Sequence, residues 1–269
     1  MKYADLFAAV KIQSPLIYCL TNFVTANDCA NVLLAAGASP VMSVDPREAA
    51  ELAQKANAVL INIGTPSEQA VSAMISAGTA ANQAGIPVIF DPVGAGATAL
   101  RREICDTLLE KIHFTAIRGN ASEIGCLAGD TFSGRGVDAG STEELETVTA
   151  LAQKLAKNAG CAVAASGAVD VVTDGEGIFF CRNGIGAMTR ITGSGCMSGA
   201  LAAGCIGASP EDPMAALAAS VLAMGIAGEI GGEMLMPGQG TGTLRSNLID
   251  AVSRLDGMDW RIRGRYEEK

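Results

Sequence analysis

The sequence predicts an α/β fold built on a central, mostly parallel sheet with helices on both faces. Two observations lead there. Short apolar runs alternate with longer stretches of helical periodicity along most of the chain, and strands that alternate with helices imply parallel pairing with both faces covered. Composition agrees: 32 glycines, abundant alanine and only 4% aromatic residues suit helices packed tightly on a sheet, with Gly-rich turns between them.

Taken in order, the apolar runs predict strands at 16–20, 39–42, 59–63, 88–90, 115–117 and 161–165. Helical periodicity predicts helices near 3–11, 24–36, 46–56, 67–84, 99–112, 121–128, 142–159, 195–208, 212–235 and 241–255. The segment 169–181 (VDVVTDGEGIFFC) differs. It reads as two strands joined at Asp174-Gly175, a hairpin signal, and is expected at a sheet edge. Residues 130–140 (DTFSGRGVDAG) form the longest predicted loop, one that need not be ordered. The end, WRIRGRYEEK, reads as a solvated basic tail. No repeat, low-complexity tract or linker divides the chain, so 1–269 is expected to be one domain.

Several classes fall away. With 49% hydrophobic and 17% charged residues the chain is not intrinsically disordered. A net charge of −9 without a basic face argues against nucleic acid as a partner. An anionic ligand must then be held by a local device such as a helix N-terminus, a metal ion or an arginine. The eight cysteines include no CxxC pair and mostly sit in apolar surroundings, which reads as buried, reduced thiols in a cytoplasmic protein. One histidine, His113, leaves no ligand spacing for zinc. The N-terminus has no apolar run of signal-peptide type. The apolar stretch around 214–236 is broken by Gly and Glu, and is expected to be a buried core helix rather than a membrane span. Helices of the last third look buried on both faces, against the sheet or against another subunit.

Three places carry chemical signal. In Thr192-Gly193-Ser194-Gly195-Cys196, small residues open a helix, so backbone N–H groups can converge on an anion, aided by the helix dipole. Cys196 falls in the first turn, where a lowered thiol pKa is expected. A plain Gly-rich turn into a helix is the alternative. Asp91-Pro92-Val93-Gly94-Ala95-Gly96 directly follows a strand, at the end where parallel sheets bind ligands. Its aspartate can hold Mg2+ or water, or simply begin a turn. In Arg118-Gly119-Asn120-Ala121-Ser122-Glu123, Asn120 and Glu123 have capping-box spacing. Arg118 suits a phosphate and Glu123 a metal, and capping does not preclude either role. Cation, carboxylates and anion hole together are the parts of phosphoryl transfer.

The ordered segments PLIYCLTNFVTANDCANVLLAAGASPVMS, INIGT, DPVGAGAT, IRGNASEI and MTRITGSGCMSGALAAG resemble the hydroxyethylthiazole kinases, from Pro15 to about Arg254. TNFV and GASPVM are specific to that family, whereas DPVGAG and the GSG turn are shared more widely. The resemblance implies a ribokinase-like three-layer α/β/α sandwich. It also implies transfer of the ATP γ-phosphoryl group to the hydroxyl of 4-methyl-5-(2-hydroxyethyl)thiazole, with Mg2+, in thiamine salvage. Carried over by motif, Met42, Asn22, Gly64 and Gly193 lie around the thiazole. Arg118 and Ser166 contact ATP, Ser166 standing where threonine is common. Asp91 and Glu123 hold Mg2+, and Gly193, Ser194, Gly195 and Cys196 form the catalytic turn. A homotrimer with active sites between subunits is implied as well, and would account for the apolar, Met-rich helices. Related kinases mostly carry aspartate at the position of Cys196. A loose phosphoryl-transfer transition state needs little base help, so Cys196 is read as positioning the hydroxyl. The alternatives are a kinase for another heteroaromatic alcohol, of hydroxymethylpyrimidine or pyridoxine type, and a non-catalytic sensor. Glu48 and His113 receive no role.

Overall fold

The computed structural model describes residues 2–130 and 142–269. The loop read over 130–140 lies, beyond Asp130, outside the described residues. In chain order the elements are α1 (Lys2–Gln13), β1 (Leu16–Leu20), α2 (Ala26–Ala36), β2 (Ser39–Met42), α3 (Ala49–Lys55), β3 (Ala58–Asn62), α4 (Glu68–Gln83) and β4 (Val88–Asp91). They continue as α5 (Ala99–Lys111), β5 (Ala116–Asn120), α6 (Ala121–Leu127), α7 (Thr142–Ala159), β6 (Ala162–Ser166), β7 (Asp170–Thr173) and β8 (Ile178–Cys181). After a 3-10 segment at Gly186–Arg190 come α8 (Ser194–Ala208), α9 (Pro213–Glu233), α10 (Thr241–Arg254), α11 (Gly257–Arg263) and β9 (Tyr266–Glu268).

The strands form one sheet in the order β2-β1-β3-β4-β5-β6-β7-β8-β9. The pairs from β2 through β6 are parallel, and β7, β8 and β9 are antiparallel additions. Alternation along each strand feeds two separate cores. Leu60, Ile89, Ala116 and Ala164 face α1, α2, α8, α9 and α10. Their neighbours Ile61, Phe90, Ile117 and Val163 face α3 to α7. This is the expected three-layer sandwich.

Caps fix several helices. Ser67 and Thr98 accept N–H bonds at the starts of α4 and α5. Asp212 caps α9 just before Pro213, a residue whose fixed φ suits the first helical position. Both apolar helices of the last third are internal. Every residue of α8 from Cys196 to Ala208 is buried, as is every residue of α9 from Ala215 to Gly228. The long apolar α9 thus behaves as the expected core helix. The same burial corrects one inference, since packing within the chain already accounts for these helices without a second subunit.

Two further expectations are corrected at the C-terminal end. The basic tail is not free. Asp256 and Asp259 form a capping box that starts α11, and Tyr266–Glu268 pairs with β8 as the edge strand. Tyr266 stacks on Phe179, and Tyr3 donates to Glu268 at 2.7 Å. The hairpin of β7 and β8 is therefore one strand in from the edge. Three exposed residues, Tyr-Glu-Glu, show no apolar alternation that could mark such a strand. Strand ends also run beyond their apolar stretches, because ladder bonds continue through polar residues: β4 includes Asp91, β5 reaches Asn120 and β6 reaches Ser166.

Candidate active site

The polar residues that end the central strands share one face of the sheet. Asn62 lies two residues after Leu60 in β3, Asp91 two after Ile89 in β4, and Ser166 two after Ala164 in β6. The two-residue repeat places all three, with Arg118 of β5, on the side covered by α8 and α9. Asn62 and Asp91 are register partners, as are Asn120 and Ser166. The sheet order reverses between β1 and β3, so the crevice beyond their carboxyl ends is a switch point for ligands.

The start of α8 descends onto this row. Gly193, with φ +86°, is the N-cap, and the first backbone bond of the helix runs from Met197 N–H to the Gly193 carbonyl. The N–H groups of Gly195 and Cys196 precede it, as the unpaired donors of a first turn do. Three glycines let the helix approach. A Cβ at Gly193 would lie 2.7 Å from Thr25 Cγ2, one at Gly195 2.8 Å from Arg118 Nη1, and one at Gly199 3.1 Å from Asp91 Oδ2. Gly195 and Arg118 thus bring helix N-terminus and guanidinium side by side. Arg118 donates to Ser166 Oγ at 3.0 Å, which joins the two residues expected at ATP.

A buried amide network joins the remaining groups. Asn62 Nδ2 donates to Asp91 Oδ2 at 2.6 Å and to Cys196 Sγ at 3.3 Å. Asn22 Nδ2 donates to Asn62 Oδ1 at 3.0 Å and to the same sulfur at 3.3 Å. Asn62 Oδ1 also accepts from the Gly64 N–H at 2.9 Å, and Asn22 Oδ1 from the Thr25 N–H at 3.1 Å. Of this set Asn62 is the residue that the motifs do not single out. It lies inside INIGT, and its place two residues beyond Leu60 is the available signal.

Asp91 is fully buried, and its Oδ1 has no hydrogen-bond partner. Desolvation raises its pKa to about 7; Arg118 and the Asn62 bond pull it down, and Glu123 pushes it up. Glu123 completes the capping box with Asn120, and its other oxygen accepts from the Gly94 N–H at 2.8 Å. It therefore ties the start of α6 to the DPVGAG loop. Arg101, which lies outside the motifs, donates to the carbonyls of Ile63, Val93 and Gly64 at 2.6–2.7 Å, and so clamps the INIGT loop to the same loop. The expectation of a lowered Cys196 pKa is corrected. Burial, and next the Asp91 charge, push the thiol up and outweigh the hydrogen bonds from Thr25, Asn62 and Asn22. Among the described residues no three His, Cys, Asp or Glu side chains cluster as a metal-binding group.

Met42 lines a cavity of about 450 Å³ with Cys19, Thr21, Asn62 and Met74. This cavity reaches the amide network at Asn62; Asn22 and Gly64 do not line it but are hydrogen-bonded to Asn62 at its edge. A larger cavity, of about 640 Å³, lies at the opposite ends of the strands beside His113 and Asp174. It holds none of the residues singled out by motif.

Comparisons with known proteins identify the family. The Hydroxyethylthiazole kinase family matches residues 7–257. A hydroxyethylthiazole kinase of Desulfovibrio desulfuricans is 45% identical, covering 95% of this chain and 94% of its own length. The solved structure of a hydroxyethylthiazole kinase protein from Pyrococcus horikoshii is 33% identical with a TM-score of 0.89, covering 99% of this chain and 98% of that one. Pyridoxal kinase from Staphylococcus aureus, solved with AMP-PCP, shares the ribokinase-like fold at 14% identity and a TM-score of 0.62, covering 94% and 97% of the two chains. Matched over nearly its whole length in sequence and in structure, the chain belongs to the hydroxyethylthiazole kinase family.

Proposed function

We propose that the chain transfers the γ-phosphoryl group of ATP to the hydroxyl of 4-methyl-5-(2-hydroxyethyl)thiazole, in thiamine salvage. The observation that carries this reading is the convergence of Asp91, Cys196 and Arg118 on the first turn of α8. A Met-lined cavity opens beside them. Phosphoryl transfer asks a protein mainly for positioning and charge neutralisation, and these residues supply both.

Each group has a distinct task. Arg118 and Ser166 hold phosphate oxygens of ATP, with the guanidinium countering the net negative charge of the chain. The backbone of Gly193, Ser194 and Gly195 faces the transferring group, where the helix N-terminus stabilises added negative charge. Met42, Asn22 and Gly64 surround the thiazole, and Met42 offers a polarizable thioether to a flat ring. Cys196 positions the acceptor hydroxyl.

Asp91 and Glu123 suit Mg2+. They are hard carboxylate donors, Asp91 Oδ1 is buried without a partner, and such sites typically combine one or two carboxylates with water and phosphate. When bound, the ion would neutralise charge on the phosphates. A homotrimer in the cytoplasm completes the reading. The trimer and the location follow from the family resemblance; the exposure of Phe23 and Val24 (82% and 54%), apolar residues next to Asn22, supports only a surface that another chain could cover.

The test is ADP release from Mg-ATP with the thiazole, beside hydroxymethylpyrimidine and pyridoxine. Release with the thiazole alone is expected. Release with another alcohol overturns the substrate, and none at all from folded, ATP-binding protein overturns the kinase. Arg118→Ala is expected to raise the KM for ATP at least tenfold and that for the thiazole far less; the reverse ranking sinks its assignment. Cys196→Asp is expected to retain or exceed wild-type turnover. The two amide donors on the sulfur can hold one carboxylate oxygen and leave the other free. A hundredfold loss of kcat with intact binding would instead show a specific need for sulfur.

A further inference from the structure

Every hydrogen-bonding valence of the Asn62 side chain is engaged. Its two N–H donors go to Asp91 Oδ2 and Cys196 Sγ, and its oxygen accepts from the Gly64 N–H and from Asn22. The backbone N–H of Gly64 can only donate, so the amide has one possible orientation, with Nδ2 toward Asp91 and Cys196. Asn62 is 1% exposed and fixed by the β3 ladder, so neither donor can turn away at low cost. Cys196 Sγ in turn accepts from both Asn62 and Asn22.

We propose that Asn62 is a positioning residue for phosphoryl transfer: its amide locks the Cys196 sulfur and the Asp91 carboxylate in one geometry and leaves the unpartnered Asp91 Oδ1 to face the reacting groups. This rests on the kinase reading. Asn62 borders the Met42 cavity, but with no donor or acceptor to spare it offers a ligand no hydrogen bond. Its effect therefore falls on kcat rather than on binding.

Asn62→Asp tests this most sharply. Once ionised, the new side chain keeps an acceptor for Gly64 and Asn22 but loses both donors, so the comparison is made at alkaline pH, where the two adjacent carboxyls no longer share a proton. We expect kcat to fall at least 30-fold while the KM values for thiazole and ATP stay within about threefold. Unchanged kcat overturns the proposal, as does a loss confined to KM, which would make Asn62 a binding contact. Should Asn62→Asp fail to fold, Asn62→Ser, with one donor, is expected to give an intermediate kcat. A double-mutant cycle measures the coupling: Asn62→Ala should cost at least fivefold less in a Cys196→Ala background than in the wild type. Equal cost in both overturns the link to the sulfur. A readout independent of activity separates this from the kinase reading. The Asn62 side-chain amide NMR signal, assigned by its loss in Asn62→Asp, should shift in both Cys196→Ala and Asp91→Asn. A signal that moves in neither overturns the geometry, whatever the substrate proves to be.

Discussion

Asp91→Asn is expected to lower kcat by two to three orders of magnitude and to abolish the response to Mg2+, while making the metal-free protein more stable at pH 8. The two halves have one cause. The Asp91 carboxyl is fully buried, Oδ1 has no partner, and its pKa lies near 7 against an unfolded value near 4. Between those values the native state holds a proton that the unfolded chain has released. The stabilisation is complete below about pH 4 and is lost as pH rises through 7. At about 1.4 kcal/mol per tenfold change in proton affinity, the whole effect is on the order of a few kcal/mol. Asparagine carries no charge and can still accept from Asn62, so the slope should disappear. Mg2+ should raise the Tm of the wild type most above pH 7, where the carboxylate is free to bind it, and leave the variant unchanged. Thermal melts from pH 4 to 8 with and without Mg2+, run beside the kinetic assay, decide the matter. A variant that melts far below the wild type at pH 8 and keeps its Mg2+ response would make Asp91 a structural residue, and a kept response alone would remove it from the metal site.

Gly193→Ala should be nearly as damaging, through shape rather than charge. The backbone at Gly193 has φ +86°, in the left-handed region, where an L side chain costs roughly 1–2 kcal/mol. The added Cβ would also lie 2.7 Å from Thr25 Cγ2. Thr25 is buried, and its N–H holds Asn22 Oδ1, so the clash passes directly to the network around Cys196. We expect a Tm loss of about 3–8 °C, as 1 kcal/mol corresponds to roughly 2–4 °C at this size. A fall in kcat of at least a hundredfold should accompany it. Adding Thr25→Ser removes the methyl and should restore part of both. No recovery would assign the damage to backbone strain alone, and unchanged kcat would remove Gly193 from the catalytic turn.

Much of this site is legible in the amino-acid sequence. The alternation of apolar runs and helices predicts the parallel strands, and the motifs place Asp91, Arg118 and Gly193 at strand or helix ends. What escapes has physical reasons. Asn62 sits inside an apolar run and reads as part of a strand, because a lone polar residue changes the average character of such a run little. Its neighbours Asp91 and Cys196 are 29 and 134 residues away along the chain. The raised Cys196 pKa escapes because local sequence indicates a helix N-terminus but not how deeply the sheet buries it. The edge strand at Tyr266–Glu268 owes its form to β8, not to its own residues.

The two cores also bear on how such a protein can change. In β4, Phe90 stacks on Phe114 in one core, while Asp91, the next residue, turns toward the other face and the Asn62 amide. On the proposed reading, a substitution at Phe90 acts on packing alone, whereas one at Asp91 acts on both the charge balance and the chemistry. A lineage exploring new substrates at the Asp91 face can therefore recover lost robustness through changes on the Phe90 face, a few ångströms away through the same strand, without touching the chemistry it has just acquired.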